Sequence, residues 1–370
     1  MNFHHSQERQ MLADTLGRYL RGRYPIERRD EISGSDAGWS SEDWAGFAKM
    51  GVIGALFGEE VGGFGGGGFD LAVVFEQLGG ALVVEPFLGV LMAGRALAKA
   101  GGQQSLVDDV IAGTCVLAFA HQEPQNGYGA EDVASHAEQS ARGWILNGAK
   151  AVVAQVKAAN LILVSAQVPG GSEAAPRLGL FLVDVAASGL SVRDYPLIDG
   201  GRGGELIMNS TPAALVAERA LPLIEDAIAA GVVSPWWAGV GGMGGLSWEA
   251  VGVMDVLKAT TLDYLRTRMQ FGTPIGKFQT LRHRMATLAL EIEQARSSAI
   301  NASYALESDR QTRERAISAA KYTIGRVGTL VAEEAIQMHG GIGMTWELPL
   351  SHYAKRLIMI GHQLGDEDHH

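Results

Sequence analysis

The apolar positions change period twice along the chain. Over residues 1–112 they recur at helical spacing, and Met11, Leu12, Leu16, Tyr19 and Leu20 share one face of a predicted helix over 7–24. Ser40-Ser41-Glu42-Asp43 reads as a capped helix start, and Gly51 follows Met50 where a helix end favours a left-handed residue. Two further helices are predicted over 70–82 and 85–100. From 113 to 220 the pattern shortens to β-runs at 115–120, 161–166, 179–185 and 190–195. Asn147-Gly148-Ala149-Lys150, between Trp144-Ile145-Leu146 and Ala151-Val152-Val153-Ala154, predicts a hairpin turn. Beyond 221 the helical period returns. Leu281, Met285, Leu288, Ile292, Ala295 and Ala299 form one stripe, and Ala320, Ile324, Val327, Val331 and Ala335 form another. The predicted class is α+β in three parts: a helical domain at 1–112, an antiparallel β-barrel or sandwich at 113–220, and a helical bundle at 221–370.

Composition narrows the function classes. The net charge of −11 and the absence of a Lys/Arg-rich run argue against nucleic-acid binding or an electrostatic membrane anchor. Residues 1–23 are too polar for a secretory signal. Residues 227–248 carry no charge and are long enough to span a bilayer. Six glycines and Pro235 within them favour a buried helical segment, and a cytoplasmic protein is expected. The single cysteine, Cys115, excludes a disulfide framework and is expected to be a buried structural thiol. His121, His283, His339 and His362 lack metal-ligand spacing, so no metal is expected. Glycine is the outlier, at 49 of 370 residues without a collagen period, which implies turns, close backbone approaches, or both.

Two segments carry candidate chemistry. In Arg268-Met269-Gln270-Phe271-Gly272-Thr273-Pro274-Ile275-Gly276-Lys277-Phe278-Gln279, the helix is broken by Gly272 and Pro274. Arg268 and Gln279 then offer a guanidinium fork and an amide, a pairing suited to a pyrophosphate or another planar anion. An ordinary capped interhelical loop would read similarly. The second segment, Gln337-Met338-His339-Gly340-Gly341-Ile342-Gly343, ends a long helix with glycines that permit close approach; a simple helix stop is the alternative.

Together, Arg-x-x-Phe-Gly-x-Pro-Ile-x-x-Phe-Gln and the later Gln-x-x-Gly-Gly-x-Gly resemble the acyl-CoA dehydrogenase family. Trp44, Met50-Gly51-Val52-Ile53-Gly54 and Glu59-Glu60-Val61-Gly62-Gly63 look like that family's first domain, so the resemblance spans the chain. It implies the family's fold, with a C-terminal four-helix bundle, and FAD shared between subunits. It also implies an acyl-CoA substrate dehydrogenated at its α,β bond. By the same resemblance Arg268, Phe271, Gln279, Gln337, Gly340 and Gly341 hold the adenine-diphosphate half of a neighbouring subunit's flavin.

The chain departs from the family pattern where the chemistry would occur. The resemblance places a Glu base 24 residues after the first glycine of Gly-Gly-x-Gly, or 26 before the flavin-contacting Arg. Those positions hold Leu364 and Gly242. Glu249, seven residues after Gly242, lies about 10 Å along the helix and is a weak candidate; packing or an intersubunit ion pair suits it better. Members that hold the flavin ring carry Thr-Glu-Pro and Trp-Ile-Thr segments. Here Gln122-Glu123-Pro124 and Ala151-Val152-Val153-Ala154 stand in their places. The expectation is a non-catalytic subunit of an α2β2 heteromer of the kind that acts on CoA esters of steroid side chains. Three alternatives remain: a self-sufficient homo-oligomer with a displaced base, a flavin oxidase relative, and an inactive binding homologue.

Overall fold

The computed structural model describes residues 6–65, 67–141, 143–170, 177–232, 245–305 and 308–370. Six helices come first: α1 (Gln7–Arg23), α2 (Ile26–Gly34), α3 (Ser41–Lys49), α4 (Gly68–Ala81), α5 (Phe87–Ala100) and α6 (Gln104–Ile111). The Ser40 hydroxyl accepts from the Asp43 amide, so the expected cap at α3 is in place. Helices α2 and α6 escape the periodicity because each is barely two turns long.

Seven strands follow: β1 (Leu117–Ala120), β2 (His136–Ser140), β3 (Gly143–Ala154), β4 (Leu161–Gln167), β5 (Leu178–Asp184), β6 (Leu190–Pro196) and β7 (Arg202–Ala217). Pairings β4–β2–β3–β7–β5 return to β4 and close the sheet on itself, with β1 added to β4 and β6 to β7. Closure leaves Ile162, Val164, Phe181, Val183 and Leu206 fully buried in one core. The predicted hairpin at Asn147-Gly148 does not form, because both residues lie within the single strand β3. Gly148 takes φ 138° at a register shift between Leu146 and Gly148, and the Asn147 side chain accepts from the Ser210 amide on β7. The turn signal has become a β-bulge.

Helices α7 (Leu221–Val232), α8 (Gly245–Thr267), α9 (Gln279–Ala305), α10 (Arg310–His339) and α11 (Leu350–His362) complete the chain. The last four pack together as a bundle, and both predicted apolar stripes face its core. Part of the glycine excess serves helix packing. A Cβ on Gly79 of α4 would meet the Glu249 carbonyl oxygen at 2.1 Å, and one on Gly252 of α8 would meet that of Glu76 at 2.1 Å. The expected helical segment at 227–248 begins as α7 and ends in α8. Its middle, with Gly242 and its neighbouring glycines, lies outside the described residues. Among the described residues no helix is long and apolar enough to cross a membrane.

Candidate functional site

The two glycine-bearing motifs meet at one end of the bundle. Tyr264, one turn before Arg268, stacks on His339 with ring centroids 4.4 Å apart, bringing the ends of α8 and α10 side by side. The His339 ring is fixed by the Ala335 carbonyl at 2.8 Å. After α8 the chain makes a minimal hairpin, Gln270 pairing with Thr273 and Met269 with Pro274. Its two loop residues, Phe271 and Gly272, take φ 52° and 73°, the signs of a type I′ turn. Phenylalanine is a poor occupant of that backbone, yet its ring is 91% exposed.

All six residues expected at the adenine-diphosphate site sit on this end and are exposed: Arg268, Phe271, Gln279, Gln337, Gly340 and Gly341. The Ile275 amide donates to the Arg268 carbonyl at 2.9 Å, pinning that backbone. A Cβ on Gly341 would meet nothing within 4 Å, so no contact within the chain accounts for that glycine. Phe278, Ile342, Met344 and Trp346 add exposed apolar surface nearby. An exposed guanidinium, two amides and an unfilled glycine floor fit the diphosphate and adenine portions of a flavin.

The cleft between the barrel and the helices is a cavity of about 500 Å³. One wall is the bulged stretch of β3, where Val152 takes φ 51° between the register points Lys150 and Val153. Leu364, φ 58°, contributes from the turn after α11. Below the wall lies a buried polar network. Lys150, wholly inaccessible, donates from Nζ to Glu123 Oε1 at 2.7 Å, the His121 carbonyl at 3.0 Å and Ser165 Oγ at 3.1 Å. The Ala134 and Ser135 amides also donate to Glu123, tying down the loop that follows Pro124. Burial drives the Lys150 ammonium down to about 8 despite Glu123. Burial, and then the Lys150 charge, take His121 down to about 3, so its ring is neutral and bonds Ser165 Oγ through Nδ1 at 2.9 Å.

Two polar side chains lining this cavity, Tyr128 and Asn126, are already engaged. The Tyr128 hydroxyl donates to the His362 carbonyl, and the Asn126 amide donates to Glu123 and to the Asp132 carbonyl. With valines and an alanine where a ring-holding member has an aromatic and a hydroxyl, the wall does not fit an isoalloxazine ring.

Glu249 is buried and closed off as a base. Arg356 of α11 grips it through Nε at 2.5 Å and Nη2 at 2.9 Å, while Nη1 holds Asp199 at 2.7 Å. Burial opposes the Arg356 charge, but the two carboxylates outweigh it and raise its pKa. Of the two roles expected for Glu249, packing or an intersubunit ion pair, the structure shows a buried ion pair made within the chain. Asp255 is bound by Arg296 and Lys258. Cys115 is half-buried, and burial raises its thiol. Among the described residues no cluster of His, Cys, Asp and Glu could hold a metal ion. The long-range partnerships Glu249–Arg356–Asp199 and Tyr24–Glu85 had no local sequence signature. Their trace is charged residues bordering apolar helix runs, such as Lys355-Arg356 before Leu357-Ile358-Met359-Ile360.

Three domain comparisons agree with this architecture. The chain matches the acyl-CoA dehydrogenase N-terminal domain over residues 6–105, the middle domain over 118–209 and the C-terminal domain over 244–361. It belongs to the acyl-CoA dehydrogenase family. Among its relatives is the acyl-CoA dehydrogenase FadE12 of Mycobacterium tuberculosis, 28% identical over 83% of this chain and 80% of that protein. A solved structure of the Tcur3481–Tcur3483 steroid acyl-CoA dehydrogenase superposes with a TM-score of 0.84 at 28% identity, covering 98% of this chain and 95% of that one. The ChsE4–ChsE5 complex of Mycobacterium tuberculosis shares the fold, with a TM-score of 0.85 at 22% identity over 100% and 96% of the two chains.

Proposed function

We propose that this chain is the non-catalytic subunit of an α2β2, FAD-dependent acyl-CoA dehydrogenase. It completes the adenine-diphosphate end of a flavin whose ring and base lie in a homologous partner chain. One observation carries the reading: the exposed flavin edge retains all six family residues, while the cleft presents Leu364, Val152, Val153 and Ala154 where base and ring contacts belong. The steroid enzyme at 28% identity supports a bulky acyl-CoA as substrate class.

In such an assembly the Arg268 guanidinium pairs with the flavin diphosphate, and the Gln279 and Gln337 amides hydrogen-bond the same half. Gly340 and Gly341 leave room for it. Bound there, FAD would supply the hydride acceptor for the acyl β-carbon. Catalysis, the base included, belongs to the partner. Glu249, held by Arg356, is not available for proton abstraction in this chain.

The test is co-expression with a homologous acyl-CoA dehydrogenase chain of the same organism, followed by flavin counting. Two flavins per four chains, activity only in the mixture, and little flavin on this chain alone are expected. One flavin per chain in an active homo-oligomer would overturn the proposal. Turnover with peroxide release would favour the oxidase reading, and a chain that no partner activates the inactive one.

A further inference from the structure

Each phosphate of a flavin diphosphate carries a negative charge, and among the six residues of the exposed edge Arg268 is the sole cation. The chain as a whole has a net charge of −11. Yet residues 264–290, which run from the end of α8 into α9, contain no Asp or Glu and five Lys or Arg: Arg266, Arg268, Lys277, Arg282 and Arg284. Cations gathered around the start of α9 repel one another and oppose the helix dipole. The arrangement is unfavourable for the chain by itself, and an anion seated there would offset it.

Geometry sorts these cations. Arg284 is engaged by Glu334 at 3.1 Å. Arg266 lies two residues before Arg268, and side chains at that spacing on a helix point apart. Lys277 is exposed, and among the described residues nothing anchors its ammonium. Arg282 differs, because its Nε donates to the Gly276 carbonyl at 2.9 Å. Gly276 directly follows Ile275, whose amide donates to the Arg268 carbonyl at 2.9 Å. The Arg282 guanidinium is thus tethered to the Arg268 backbone through two hydrogen bonds and one short stretch of chain. Gly276 is itself pressed against α8, where a Cβ would meet the Leu265 carbonyl oxygen at 2.7 Å. Arg282 also lies three residues after Gln279, on the same face of α9. It is exposed, and among the described residues no carboxylate pairs with it. A guanidinium held through Nε keeps its two Nη groups as a fixed fork, the form suited to a phosphate.

We infer that Arg282 is a second phosphate-binding residue of this chain, a role that rests on the subunit reading above. Its Nη groups take one phosphate of the shared flavin while Arg268 takes the other. Arg282 stands outside both glycine-bearing motifs, so neither of them names it.

The test is the FAD affinity of the co-expressed heteromer after flavin removal, measured at about 0.05 M and about 0.5 M salt. Arg282→Gln should weaken FAD about tenfold at the lower salt and only about threefold at the higher, because salt screens a contact between exposed charges. Arg282→Lys keeps the charge without the fork and should lose about threefold, whereas Lys277→Gln should stay within about twofold of wild type. If Arg282→Gln does not assemble, Arg282→Lys carries the test, and an unchanged affinity there would overturn the inference. So would a loss in Arg282→Gln that is equal at both salts, which marks a brace of the loop, or one no larger than that of Lys277→Gln. Arg268→Ala reports on the subunit role itself. If it alone weakens FAD, that role stands and the one given to Arg282 falls. If neither variant weakens FAD, or no mixture holds flavin, both fall.

Discussion

Lys150 shows how much a single buried side chain governs here. Its ammonium is wholly enclosed and joins β3 to Glu123, whose carboxylate anchors two amides of the cleft loop. Breaking a buried pair from one side leaves an uncompensated charge and costs about 3–5 kcal/mol. Lys150→Met should therefore lower unfolding free energy by about that much in urea titrations. Adding Glu123→Gln should restore part of the loss, because the stranded charge disappears; an additive double variant would rule out the coupling. Glu85 gives a pH signature. Burial raises its carboxyl from 4.5 to about 7, although Tyr24 and Ser40 donate hydrogen bonds to it. The folded state thus binds the proton more tightly than the unfolded chain. That contribution is fully present below pH 4.5 and is lost as pH rises through 7. Relative to wild type, Glu85→Gln should gain up to about 3 kcal/mol between pH 5 and pH 8. A difference that does not change with pH would refute this assignment.

At the scale of elements, one good turn signal goes unused and one poor one makes a tight turn. Asn147-Gly148 has good hairpin composition, but β7 supplies a partner for the whole of β3 and the pair becomes a bulge. Phe271-Gly272 has poor composition and forms the I′ turn, because the Arg268 and Ile275 backbones are pinned on either side. Pairing over many residues overrides two-residue propensity, which is also why β2 and the long β7 were not legible in advance. The amphipathic helices were legible because their period repeats over several turns, as in α9 and α10. Phe271→Asn separates strain from function. It should stabilise the chain by up to about 1 kcal/mol in thermal unfolding, since Asn-Gly suits the turn. The same change should weaken flavin retention by the assembled enzyme. If stability falls, or flavin binds as before, the ring is exposed for some other reason.

Across the whole molecule, the surface edge and the interior cleft differ in how they could be read. The edge comes from two contiguous motifs, so a family resemblance could point to the six residues proposed for it, and the structure brings them together on one exposed end. The cluster of Arg356, Glu249, Asp199 and Arg29 draws on α11, α8, the β6–β7 turn and α2, and nothing in the sequence announces that assembly. These two constructions predict opposite lesions. Arg268 is exposed, with no side-chain ion pair among the described residues. Arg268→Ala should leave the melting temperature of the isolated chain within a degree or so, but weaken flavin binding by the heteromer about tenfold or more. Arg356→Met strands two carboxylates, Glu249 and Asp199, both more than nine-tenths buried, and should cost about 3–5 kcal/mol of stability. The fraction that still folds and pairs should retain its flavin, because the cluster lies in the cleft and not on the shared edge. Unfolding curves and flavin-to-protein ratios on the same two variants decide the matter. If Arg268→Ala lost stability, or folded Arg356→Met lost its flavin, the division between a scaffold interior and a cofactor-completing surface would not hold.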